Sequence, residues 1–72
     1  MMNISIIEKY IDQKVTIELG TSNYITGKVT EFDDFGIHFI ENGDNFSDML
    51  IAWHDINKII LKPEEFLVIN PL

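Results

Sequence analysis

The sequence predicts a mainly β fold: one N-terminal α-helix followed by a five-stranded, strongly bent antiparallel sheet that forms a small barrel. Three observations predict it. The apolar period changes from helical to two at Lys14, clusters of turn residues separate the alternating runs, and a glycine, Gly27, interrupts the second run. A mid-strand glycine marks a sharp bend or a close backbone approach, as strongly curved sheets require.

The elements follow in chain order. Residues 3–12, NISIIEKYID, place Ile4, Ile7 and Ile11 at i, i+3 and i+7, with Ile6 and Tyr10 widening the stripe. Ser5 and Glu8 have capping-box spacing, and Asn3 is an alternative cap. So short a helix does not hold alone in water, so its apolar face is expected to pack on the sheet. The strands are expected at 14–19, 23–32, 35–41, 48–53 and 56–62. In the first, Val15, Ile17 and Leu19 alternate with Thr16 and Glu18. Gly20-Thr21-Ser22-Asn23 is a turn cluster, Asp33-Asp34 makes a tight turn, and Glu41-Asn42-Gly43-Asp44-Asn45 is a polar loop. His54-Asp55 bends the chain between the last two strands, and Pro63 stops the fifth. The tail, residues 63–72, is apolar enough to pack on the body or a neighbour, or to add a strand at an exposed edge.

Length and composition bound the function. Seventy-two residues make one domain, 1–72, with no room for a second core. A chain this short buries only about 60% of the surface it exposes when unfolded. Small domains offset this with disulfides, a metal or oligomerisation. There is no cysteine, and two histidines are too few for a structural zinc site without carboxylate help, so oligomerisation is the expected device. No apolar run approaches the roughly 20 residues that span a bilayer, and the first residues do not read as a signal peptide. The cytoplasm is the expected location, with no membrane partner.

Charge is the most informative quantity. Twelve acids face five basic residues, all of them lysine, for a net charge of −7. Arginine is the preferred residue for bidentate phosphate and base recognition, and a negative chain repels polyanions at long range. Generic nucleic-acid affinity is therefore not expected. No enzyme is expected either: the chain has no cysteine nucleophile, no phosphate-cradling glycine loop and no metal-ligand spacing, and no cofactor is implied. Asp33 and Asp34 could hold a hard cation with Asp55 or Glu31, but adjacent acids at a turn more often only stabilise the turn.

Two stretches resemble the Sm-like family, and within it the bacterial Hfq branch. VTIELGTSNYITGKVTEFDDFGIHF, from Val15 to Phe39, is similar to the family's first strands, mid-strand glycine and Phe-Asp-x-Phe turn. AWHDINKII, from Ala52 to Ile60, is similar to the Tyr-Lys-His-Ala-Ile segment and the strand after it. With the leading helix, the resemblance covers about residues 3–61; Gly27, Phe32, Asp33, Phe35, His54 and Ile56 fall at matching spacing.

The resemblance implies a small Sm-like, SH3-like barrel. It also implies a homo-oligomeric ring of about six or seven subunits, closed by the fourth strand of one chain pairing with the fifth of the next. It further implies a site for single-stranded, U-rich RNA on one face, where Phe35 would stack a base and His54 would contact it. The chain departs from the pattern at several site positions. Asp34 stands where the family has Gln, Trp53 where it has Lys, and Glu18 where the opposite face has Tyr. Lys9 alone represents an arginine-rich rim.

The candidate RNA-binding residues are Phe35, His54, Trp53 and Asp34. Each has a plain structural reading. Phe35 closes a turn, Trp53 seals an interface, His54 caps a bend, and Asp34 is a solvated turn acid. His38, mid-strand, has no evident partner. Two functions follow: an Sm-like ring with altered RNA sites, or an acidic protein-interaction module for a basic protein partner.

Overall fold

In the computed structural model, residues 4–20, 23–42, 48–62 and 65–70 are described. A 3-10 helix, Ile4–Tyr10, leads into β1 (Lys14–Leu19), β2 (Asn23–Phe32), β3 (Gly36–Glu41) and β4 (Met49–Ala52). A 3-10 turn, Trp53–Asp55, then joins β5 (Ile56–Lys62) and β6 (Glu65–Val68).

The first element corrects the expected α-helix over 3–12. The seven residues Ile4–Tyr10 wind as a 3-10 helix. At three residues per turn, positions such as Ile7 and Tyr10 eclipse one another, so one short stripe still reaches the core. Ile7 is fully buried, and Ile6, Tyr10 and Ile11 pack around it. The helix stops where Asp12 takes φ +67° and its N–H turns away to the carbonyl of Val29 at 2.9 Å. That left-handed residue forbids continuation, and so short a segment gains little from completing an α-helical ladder.

The strands form one antiparallel sheet in the order β4-β3-β2-β1-β5-β6. This corrects the expected count of five, because β6 comes from the apolar tail and adds itself to the outer edge of β5. It also corrects the closed barrel: the sheet is open, with β4 and β6 at its edges. Two register shifts curve the sheet, one in the β1–β5 ladder between Glu18 and Leu19 and one in β2–β3 between Val29 and Glu31. The strand ends otherwise fall close to expectation, with β3 beginning at Gly36 and β4 running only from Met49 to Ala52. The Gly43–Asn45 part of the polar loop, Thr21, Ser22 and Pro63 lie outside the described residues.

Gly27 sits where two strands come too close for a side chain. A Cβ there would lie 2.1 Å from the carbonyl oxygen of Ile40 in β3. One face of the sheet holds the core: Ile7, Val15, Ile17, Val29, Ile37, Phe39, Ile51, Ile56, Ile59 and Leu61. Alternation places these on one side of β1, β2 and β3, and in β5 the register shift opposite Glu18 and Leu19 brings Ile56 to the side of Ile59 and Leu61.

The tail is tied down by asparagines. Asn70 donates from Nδ2 to the carbonyls of Trp53 and Ile56, both at 2.8 Å. The backbone N–H groups of Ile69 and Asn70 donate to the carbonyl of Asn57, at 2.8 and 3.0 Å. The side chain of Asn57 is itself buried and donates to the carbonyl of Gly20. β5 therefore lies between β1 and β6, and pairing it with a neighbouring chain would require β6 to leave.

Candidate binding surface where two turns meet

The sequence-predicted site residues lie on two turns that the fold fastens together. The β2–β3 turn is built by Asp33, whose Oδ1 accepts the N–H groups of Phe35 at 2.8 Å and Gly36 at 3.2 Å. This Asx-type closure leaves Asp34 and Phe35 at the tip, with Phe35 59% exposed. Gly36 follows because a Cβ there would meet the carbonyl oxygen of Ile51 at 2.0 Å. Phe35 is thus not a core residue that closes the turn: Asp33 closes it, and the ring faces solvent.

The second turn is Trp53–Asp55. Its indole N–H donates to the carbonyl of Asp33 at 2.8 Å, and its backbone N–H donates to the carbonyl of Phe35 at 3.2 Å. Trp53 is half-buried and staples one turn to the other within the same chain. His54 projects beside it with an 84% exposed side chain, its Nε2 3.4 Å from the carboxylate of Asp55. The structure brings the turn bearing Asp34 and Phe35 against the turn bearing Trp53 and His54.

The electrostatics of this end are acidic. The two turns carry Asp33, Asp34 and Asp55, and neither contains a lysine. His38 on β3 lies between Glu31 of β2 at 3.9 Å and Asp48, just before β4, at 4.0 Å, which supplies the partners that the sequence did not reveal. The cation site considered for Asp33, Asp34, Asp55 and Glu31 does not assemble. Asp33 spends its carboxylate on the turn, and no metal-holding group of three His, Cys, Asp or Glu forms among the described residues.

Glu18, at the place where the resemblance has a Tyr, is nearly buried and accepts the hydroxyl of Tyr24 at 2.7 Å. That hydrogen bond, reinforced by the charge of Glu18 and by burial, raises the pKa of the Tyr24 phenol. Asn57 and Asn70, which position the second turn from behind, were missed in the sequence. An isolated asparagine carries no periodic signal, so only the folded contacts identify them. None of the described helices is long and apolar enough to cross a membrane. No family model, no curated protein and no solved structure matches the chain.

Proposed function

We propose that the chain is a non-catalytic binding domain on an Sm-like scaffold, whose two-turn end receives a lysine- or arginine-bearing protein segment. One observation carries this reading: Phe35 stands exposed on a turn that holds carboxylates and no lysine. An aromatic face attracts an ammonium or guanidinium group, and carboxylates beside it strengthen that attraction. The same surface disfavours a phosphate backbone, which needs cations to release counterions.

A second reading is single-stranded RNA at the same place. It is favoured by the meeting of the two turns, which puts the exposed Phe35 and His54 on one end of the molecule, as the Sm-like resemblance implies. Stacking on Phe35 would then supply about 1–3 kcal/mol per base, with little phosphate contribution.

Trp53 is the only tryptophan and sits at the junction, so its fluorescence reports occupancy directly. Titration with a lysine- and arginine-rich peptide is expected to change Trp53 emission saturably, with affinity that falls as salt rises. A U-rich oligonucleotide is expected to leave the emission unchanged. Phe35→Ala should weaken the peptide by about tenfold, equivalent to roughly 1.4 kcal/mol. Saturable binding of the oligonucleotide with no response to the peptide would reject the protein-partner reading in favour of RNA.

A further inference from the structure

The cations of this acidic chain are gathered away from the two turns. Lys14 and Lys28 are Cα partners in the β1–β2 ladder, so their side chains leave the same face of the sheet. Lys58 is the Cα partner of Glu18 and Lys14 shares Glu18's face, so Lys58 lies there too. Lys62, four residues further along β5, completes the set. Four of the five lysines thus occupy the side of the sheet opposite the core.

Between the start of β1 and the end of β5 that face dips into an open hollow of about 360 Å³. Lys14, Thr16, Ile60 and Lys62 line it from the lysine-bearing face, and Val15 and Leu61, which are otherwise buried in the core, lie between them in sequence. Like charges at directly opposed cross-strand positions destabilise a sheet. Among the described residues, no lysine lies within 4.0 Å of a carboxylate. Glu65, the Cα partner of Lys62, has its carboxylate engaged by the hydroxyl of Tyr10, and the Lys62 ammonium stands 5.9 Å from the centroid of the same Tyr10 ring. The hydroxyls of Thr16 and Thr26 are 3.0 Å apart, so one donates to the other and the second keeps its proton for a ligand.

We propose that this hollow binds a small phosphorylated molecule of nucleotide size. Its phosphate would be held by Lys14 and Lys62, with Lys28 alongside, and its organic part would lie on Ile60 and on the aliphatic stems of the two lysines. The hollow falls in the size range of small-molecule sites, about 300–1,000 Å³. Size also decides between ligands. A compact phosphate samples the field of the nearby lysines, whereas a long strand would run beyond them over a chain of net charge −7. This site is separate from the two-turn end and does not depend on what binds there.

The test is an NMR titration of the ¹⁵N-labelled full-length chain with adenosine monophosphate, repeated with adenosine and with a U-rich oligonucleotide. The nucleotide should shift the amides of Lys14–Thr16 and Ile60–Lys62 saturably at millimolar concentration, and adenosine should not. Lys14→Gln and Lys62→Gln should each weaken binding about tenfold, while Lys9→Gln, on the N-terminal 3-10 helix, should not change it. The wild-type shift map decides the matter even if a variant folds poorly. No saturable shift, equal shifts with adenosine, or shifts confined to Asp33–Phe35 and Trp53–Asp55 would each overturn the proposal. Tighter binding of the oligonucleotide along the whole lysine-bearing face would replace the small ligand with a nucleic-acid strand.

Discussion

Three glycines show how differently one residue type can be required. Gly27 and Gly36 have ordinary φ but no space, since a Cβ would meet a backbone carbonyl at 2.1 and 2.0 Å respectively. Gly20 has φ +60° but open space around it. Alanine at Gly27 or Gly36 must push strands apart, so each should lose about 1–3 kcal/mol or more in urea unfolding. Alanine at Gly20 should lose only about 1–2 kcal/mol, the cost of a left-handed L-residue. Gly27 was legible in the sequence because it interrupts an alternating run; Gly36 was not, because a glycine at a strand's first residue looks like part of the turn. The tyrosines give a pH signature at the same scale. Tyr24 donates to Glu18 and Tyr10 to Glu65, and these bonds to carboxylates raise both phenols. Their folded pKa lies above the unfolded value of about 10, so the associated stability is complete below that pH and is lost as pH rises through the folded pKa. Phenolate absorbance should therefore appear at higher pH in the folded chain than in denaturant, and Tyr24→Phe should flatten part of the alkaline loss of stability.

Strands were the more legible elements, and the reason is physical. In β1 and β2 a period of two marks the buried face, and their bounds fall where alternation begins and ends; β5 breaks the period at Ile56 and Asn57, both buried, yet still spans the expected 56–62. The N-terminal segment misled because spacings of three and four fit an α-helix, whereas its actual winding is decided by where Asp12 must leave to reach Val29. No local pattern encodes that contact. β6 was only a possibility in the sequence, since its pairing depends on a free edge that exists once β5 has docked on β1. The two turns were legible as turns, and the Sm-like resemblance singled out Phe35 and His54. Their fastening by Trp53 depends on a hydrogen bond across twenty residues. Asn70→Ala removes two side-chain bonds to Trp53 and Ile56 and should cost about 1–3 kcal/mol. Hydrogen exchange should show the effect first in the amides of Glu65–Val68, whereas protection throughout β1 and β2 should persist. If β6 stays as protected as in the parent chain, the asparagine is not what holds it.

At the scale of the whole molecule, the open sheet and the division of charge act together. An unclosed sheet leaves two rows of backbone groups unpaired, and such edges are templates for association. Here the edges are β4, which exposes Leu50, and β6, which exposes Phe66 and Val68. If copies of the chain assemble as the Sm-like reading proposes, β4 of one copy must meet β6 of the next, because β5 is already paired on both sides. Charge permits that contact while opposing others: the acidic two-turn ends repel each other, and the lysines lie on a sheet face or, for Lys9, on the 3-10 helix rather than in β4 or β6. A lysine placed on β4 should therefore block assembly without touching the core. In native mass spectra, Leu50→Lys is expected to reduce a multiple of the chain mass to a single chain, with the thermal melt of the monomeric fold retained. An assembly whose mass survives Leu50→Lys would show that the copies meet elsewhere, and would leave the β4 edge free to take a strand from a different partner.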